Sequence, residues 1–335
     1  MLRTGNGREK LTDQGESRIG DLLWKEDDDE LLLLKIAEEL RGYAENALAP
    51  NTARAQRADW EQFLIWCKAW GRDALPASPV TVCLYIVETA RTKKTSTIAR
   101  YLSTISVVHK RTGFLSPTRD ERVRTVWAGI KRTLGTAQEG KKPLLVETLR
   151  RMVNELPPTP AGVRDRALLL LGFAGAFRRS ELVALNTTDL SWVDDGIIVT
   201  ITRSKTDQEG EGRRIGIPYC GGLCPVRAVK AWVELLREEG PLFRGMTKGS
   251  SILPGRLSDR TVARIIKRTL ERAGIPGEDF SGHSLRAGFA TEAARGGASE
   301  RVIQAQTGHQ SLTVLRRYIR EGELFRQNAV TFVRL

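Results

Sequence analysis

Cysteine, methionine and histidine are all scarce in this chain, with 4, 3 and 3 copies among 335 residues. The cysteines (Cys67, Cys83, Cys220 and Cys224) follow a polar, charged N-terminus rather than an apolar leader. A disulfide framework is therefore not expected, and a reducing, cytoplasmic setting is. Long apolar runs are also missing. The longest, Ala167 to Phe177, falls well short of the roughly 20 residues that cross a bilayer, which argues against a membrane role. What remains is ordinary for a globular protein, 41% hydrophobic and 28% charged, and the length suits two domains with separate cores.

Charge is where the chain departs from the ordinary. Its formal net charge is +13 and its pI about 9.9. Residues 1–42 hold 7 Lys/Arg against 11 Asp/Glu, so the excess lies beyond them: 15 against 8 over 43–140 and 31 against 21 over 141–335. Two basic bodies imply one shared polyanion, and nucleic acid is the first candidate.

Periodicity divides the chain further. Residues 1–42 read as an acidic, partly disordered extension with a short helix in "WKEDDDELLLLKIAEELRGY". Residues 43–134 read as an all-α bundle. Trp60, Phe63, Cys67 and Trp70 recur at helical spacing; Ser78 and Pro79 form a cap and first turn; Ile98, Leu102, Ile105 and Val108 share a face; a further helix spans about Arg119 to Leu134. "GTAQEGKKP", 135–143, reads as a linker, and 144–320 as a mostly helical second domain. Within that domain, "GIIVTITRSKTDQEGEGRRIGIP" alternates as a β-hairpin does, with Lys205 at or near its turn. The fold class is thus mainly α with a small antiparallel sheet.

His283, Arg286, His309 and Tyr318 crowd into fewer than forty residues, with Arg178 and Lys205 upstream. Zinc is a poor account of them: Cys220 and Cys224 are loosely spaced, Pro225 looks like a helix start, and no acidic ligand joins the histidines. Phosphoryl transfer fits better. Tyrosine, with a pKa near ~10, needs a cationic surround to act as a nucleophile. Arginines grip non-bridging phosphate oxygens with a fixed fork and never lose their charge. Lysine can protonate a leaving oxygen. His283 and Arg286, three apart, share one helical face. With protein cations supplied, neither metal nor other cofactor is expected.

"GAFRRSELVAL", "RSKTDQEG", "HSLRAGFAT" and "TGHQSLTVLRRY" resemble, in order, the signature boxes of the tyrosine recombinase (phage integrase) family. "NTARAQRADWEQFLIWC" and "TSTIARYLSTISVVH" are similar to the core-binding domain of its Cre-like and integron-like members. The resemblance covers roughly residues 45–330. It implies a DNA breaking-rejoining fold and site-specific recombination through a 3′-phosphotyrosine and a Holliday junction, without metal or ATP. By motif match, Tyr318 is the nucleophile, Arg178 and Arg286 hold the phosphate, and Glu181 buttresses Arg178. Lys205 is the general acid, His283 assists proton transfer, and His309 bonds the phosphate. Two positions depart from the pattern: Ala176 stands where glycine is frequent, and Ala287 where a histidine often follows the second arginine.

The implied partner is double-stranded DNA with an inverted-repeat site, bound by a homotetramer of two synapsed dimers. Arg260, Arg264 and Lys267, opposite Val262, Ile265, Ile266 and Leu270 on one helix, are candidate DNA contacts, as are Lys93, Lys94 and Arg100 in the first domain. Leu324, Phe325, Val330 and Val333, in the tail 321–335, form an apolar stripe that can pack back on its own domain; the resemblance implies instead a C-terminal helix that docks on a neighbouring protomer. A type IB topoisomerase shares the active-site logic, and a catalytically silent DNA-binding protein shares the charge.

Overall fold

The computed structural model describes residues 36–39, 50–136, 141–202, 212–247, 249–323, 330 and 333. The chain divides into two compact units, the first ending at Gln138 and the second beginning at Glu139. That division falls inside the stretch read as a linker. Of the acidic extension only 36–39 is described, as exposed helix; the rest of that reading lies outside the described residues.

The first unit is helical, as its periodicity predicts: α1 (Pro50–Ala69), α2 (Pro79–Ala90), α3 (Thr95–Arg111) and α4 (Glu121–Leu134). The start of α2 is fixed by Ser78, whose hydroxyl accepts from the Thr81 N–H at 3.1 Å, with Pro79 in the first turn. Asp120 caps α4 in the same way, accepting from the Arg122 N–H at 3.0 Å. Phe63, Cys67, Val82, Tyr85, Ile86, Ile98, Leu102, Ile105 and Val123 form the core. Trp70 departs from the expected face and is 60% exposed, because α1 ends at Ala69 and the chain turns away. Among the buried polar groups of this unit, His109 and Asp59 are held by specific bonds. His109 Nδ1 donates to Ile105 O at 2.8 Å while Nε2 accepts from the Ala77 N–H at 2.9 Å, and Asp59 is gripped by Arg100 through two bonds of 2.7 and 2.9 Å.

The second unit runs α5 (Val146–Asn154), α6 (Pro160–Ala174), α7 (Arg179–Ala184), β1 (Leu190–Val193), β2 (Gly196–Ile201), β3 (Arg213–Pro218), α8 (Pro225–Val233), β4 (Arg244–Met246), β5 (Ile252–Arg256), α9 (Asp259–Arg272), α10 (Ser284–Arg295), α11 (Glu300–Thr307) and α12 (Leu312–Glu323). The expected hairpin is β2 and β3, antiparallel from Gly196 opposite Pro218 to Ile201 opposite Arg213. A third strand, β1, joins the other edge of β2. It has no readable pattern, since only Leu190 is buried and the next three residues face out. The β4–β5 pair is equally short and mostly exposed. Cys224 occupies the N-cap position of α8 ahead of Pro225, and α8 ends at Val233.

Two packing features position the site. Helix α10 presents Ala287, Gly288, Ala290, Thr291 and Ala294 to the interior, and this small-residue face allows close approach. A Cβ at Gly288 would lie 1.9 Å from the carbonyl oxygen of Leu144. Helix α12 then lays Leu315 and Ile319 against Ala290, Ala294 and Ile303, which fixes the rotation of α12 and hence the direction of Tyr318. Among the described residues no helix is long and apolar enough to cross a membrane.

Candidate active site

Arg178 occupies the N-cap position of α7, with extended backbone. Glu181, in the first turn, reaches back: its Oε2 accepts from the Arg178 N–H at 2.9 Å and its Oε1 pairs with Arg178 Nη1. The Glu181 carboxylate is almost fully buried, so it holds both the backbone and the head of Arg178 in one orientation. The chain enters this corner through Ala176, which is buried in the left-handed region at φ 48°. That conformation frees the Ala176 carbonyl, which accepts from Arg286 Nη1 at 2.8 Å. Glycine adopts it without strain, which explains why glycine is frequent here in the pattern.

Arg286, in the first turn of α10, is only 5% exposed. Its Nη1 also donates to Thr307 O, and its Nε points to His309 Nε2 at 3.4 Å. The carbonyls at the C-terminal end of α11 are taken in succession by three different guanidinium groups. Arg213 Nη1 donates to Gln306 O at 3.3 Å, Arg286 to Thr307 O, and Arg178 Nη2 to Gly308 O at 3.4 Å. A helix C-terminus, with unpaired carbonyls and a negative dipole end, favours such cations. Gly308 ends α11 at φ 63°, and a Cβ there would meet Arg213 Nη1 at 2.0 Å. The left-handed backbone of this turn is what favours glycine at 308, with the head of Arg213 packed against it.

The turn delivers His309 to the cleft. Its Nδ1 pairs with Thr307 Oγ1 at 2.8 Å. Because Arg286 Nε can only donate, Nε2 accepts and the proton resides on Nδ1. Burial, then the charges of Arg286, Arg178 and Arg213, pushes the His309 pKa down to about 4, so the ring is neutral near pH 7. The Tyr318 ring lies 6.4 Å from it, centroid to centroid. Arg178, His283, Arg286, Ala287, His309, Val314 and Tyr318 line one cleft of about 300 Å³. His283 stands just ahead of α10 and is exposed, whereas Arg286, one turn later, is buried. They share the cleft but not an environment.

Among the described residues, Arg178 and Arg213 meet one carboxylate, that of Glu181, and Arg286 lies nearby. Burial first, then repulsion from Arg178 and Arg213 against the pull of Glu181, lowers the Arg286 pKa to about 10. Burial also lowers that of Arg213. The buried Nη2 atoms of Arg286 and Arg213 make no hydrogen bond. Arg178 and Arg286, which both line the cleft, make it suited to an anion of tetrahedral, multi-acceptor type.

Lys205 falls outside the described residues. Arg213 was not anticipated, although a signal existed: Arg213, Ile215 and Ile217 alternate, and the two isoleucines are buried, so the arginine shares the inward face. Among the described residues no three His, Cys, Asp or Glu side chains converge as metal ligands do. Of the candidate DNA contacts, Arg260, Arg264 and Lys267 are exposed along α9, opposite the buried Val262, Ile265, Ile266 and Leu270. Lys93 and Lys94 are exposed just before α3, whereas Arg100 is already neutralised by Asp59. Val330 and Val333 are exposed; Leu324 and Phe325 lie outside the described residues.

Residues 142–323 match the phage integrase family. The chain is 40% identical over 311 residues to an integrase/recombinase XerD homolog of Selenomonas ruminantium, covering 91% of this chain and 90% of that protein. It is 27% identical over 287 residues to the tyrosine recombinase XerD of Corynebacterium glutamicum, covering 82% and 88%. The fold is shared with the XerH site-specific recombinase, solved bound to a palindromic difH substrate in a post-cleavage complex: the TM-score is 0.59 at 17% identity, covering 76% of this chain and 72% of that one. The family match spans more than half of the chain, and the similarity to the Selenomonas protein runs through both units. The chain belongs to the phage integrase family of tyrosine recombinases.

Proposed function

We propose that the protein is a site-specific recombinase that cleaves and rejoins duplex DNA at an inverted-repeat site, through a 3′-phosphotyrosine on Tyr318 and a Holliday junction. The observation that carries this reading is the convergence of Arg178, Arg286, His309 and Tyr318 on one cleft within one chain. Arg178 and Arg286 bind the non-bridging oxygens of the scissile phosphate from the cleft that both line. Tyr318 Oη bonds to phosphorus as the bond to the 5′ oxygen breaks. The tyrosine proton leaves through His283, and Lys205 protonates the departing oxygen. In the second half-reaction a 5′ hydroxyl of the partner strand attacks the same phosphorus and expels Tyr318. One phosphoester replaces another at each step, so neither nucleotide nor metal is consumed.

His309 enters in a specific way. With its Nε2 lone pair turned toward Arg286, it offers no proton to the cleft. Phosphate that takes over Arg286 releases Nε2, and a neutral ring can then carry its proton there and donate to a phosphate oxygen.

Affinity comes largely from phosphate neutralisation by both basic units and falls steeply with salt. Residues 43–134 serve as the core-binding domain, with Lys93 and Lys94 toward DNA, and 144–320 as the catalytic domain, with Arg260, Arg264 and Lys267 on α9 as its groove-facing residues. The tail, 321–335, docks in trans to couple a homotetramer.

The test is capture of SDS-resistant protein–DNA adducts from genomic DNA in EDTA without ATP, followed by sequencing, for wild type and Tyr318→Phe. Tyrosine-dependent adducts at one inverted repeat are expected. Scattered adducts would mean a topoisomerase, and binding to a defined site with no adduct would mean a DNA-binding protein.

A further inference from the structure

We propose that Arg213 is a positioning residue of this active site, acting through Glu181 and the Gln306–His309 turn to set the directions of Arg178 and His309. The inference rests on the recombinase reading for its catalytic consequence, though not for its geometry.

Four observations converge on this side chain. It projects from the inward face of β3, where its alternate neighbours Ile215 and Ile217 are core residues, so a charge there needs a partner. Its Nη1 donates to Gln306 O at 3.3 Å, capping the end of α11. Its Nη2 stands 4.0 Å from Glu181 Oε2, the oxygen that also accepts from the Arg178 backbone. Gly308 lies directly against its head, with no room for a side chain between. Arg213 therefore sits behind the two elements that aim the cleft residues, the Glu181 carboxylate on one side and the glycine turn on the other. It does not line the cleft itself, which separates it from Arg178 and Arg286.

A planar, forked guanidinium can serve both partners at once, whereas an ammonium is a single point of charge. Without it, Glu181 keeps Arg178 but loses its second cation, and α11 loses one of its three caps. The Gly308 turn is then free to shift His309 relative to Arg286 and Tyr318. Misplacement on the ångström scale is enough to cost ~100-fold in rate. Charge reports on the same contact. Among the described residues, the cations facing His309 are Arg286 from α10, Arg178 from the start of α7 and Arg213 from β3, and all three hold its pKa down; Tyr318 from α12 and His283 just ahead of α10 are further titratable side chains of the cleft.

The experiment compares wild type, Arg213→Met and Arg213→Lys by two readouts. The first is the rate of Tyr318 adduct formation on the DNA recovered by adduct capture, at saturating protein, with half-maximal binding measured alongside. The second is the pH titration of His309 in the DNA-free protein by NMR, where only three histidines need assignment. Arg213→Met is expected to slow adduct formation by ~10- to 100-fold, with DNA binding nearly unchanged and the His309 midpoint raised. Arg213→Lys is expected to recover part of the rate and to keep the low midpoint. A wild-type rate in Arg213→Met overturns the inference whatever His309 does. A slower rate with an unmoved His309 midpoint, or one matched by an equal loss of DNA binding, reduces Arg213 to a structural role and overturns it too. If wild type itself forms no Tyr318 adduct, the recombinase reading fails, and the His309 titration still decides whether Arg213 controls the turn.

Discussion

Each unit contains a histidine and a buried carboxylate that arginine grips, and the two satisfy them in opposite ways. In the first, both nitrogens of His109 are matched to backbone groups, and Arg100 is tied by two bonds to Asp59, so both of these groups are satisfied within the unit. In the second, Arg178 and Arg213 meet one carboxylate with Arg286 nearby, two of the buried nitrogens of these arginines make no hydrogen bond, and His309 spends its lone pair on a neighbouring cation. A satisfied polar cluster stabilises a fold and needs nothing else. An unsatisfied one is held in place by its surroundings and is completed by a ligand. By this standard His109 is architecture and His309 is machinery; the first is fully buried and the second only half-buried at the cleft.

Substitutions can break that comparison in graded steps. The largest effect is expected at Tyr318: Tyr318→Phe removes the nucleophile and abolishes covalent adducts, while filter binding to the same DNA persists. Next, Arg286→Met should slow adduct formation by ~100- to 1,000-fold, as loss of one donor to a developing anion does elsewhere. A single-turnover assay on nicked substrate would measure it, and a loss below tenfold would contradict its place on the phosphate. His109→Ala should act on the other axis. It orphans the Ala77 N–H and opens a cavity, lowering the stability of the first unit by about 2–4 kcal/mol in a denaturant titration. The bond-breaking rate on bound DNA should stay unchanged.

Acid offers a milder probe of the second unit. The folded pKa of His309 lies below its unfolded value, so the unfolded chain binds more protons between pH 6.5 and about 4. The stability that His309 contributes is present above that window and declines as pH falls through it. Replacement by Asn should flatten this part of the stability profile of the second unit. The smallest effect is expected at Ala176→Gly, which relieves a left-handed alanine but adds freedom to the unfolded chain. The net should be a gain of no more than about 1 kcal/mol in melting experiments, with cleavage intact because the carbonyl that receives Arg286 remains.

How much of this was legible beforehand depends on the kind of signal. The long amphipathic helices declared themselves through apolar spacing and caps, as at Ser78 and along α9. The β2–β3 hairpin did so through alternation. Strands β1, β4 and β5 did not, because one exposed face and a length of three to five residues leave no period to read. Trp70 was misplaced because an apolar residue one position past a helix end still fits the arithmetic of the helix.

The same division holds at the site. The order and spacing of Arg178, His283, Arg286, His309 and Tyr318 are properties of the chain, and the chemistry of these side chains alone points to phosphoryl transfer. Which of them is buried, which nitrogen of His309 holds the proton, and that Arg213 stands behind the cleft are properties of packing. They depend on the left-handed turn at Ala176, the flush contact at Gly308 and the seating of α12 on the small face of α10. Residue type and local spacing are written along the sequence. Burial, tautomer and the gathering of three cations around the cleft arise only where separate segments meet, some of them more than a hundred residues apart.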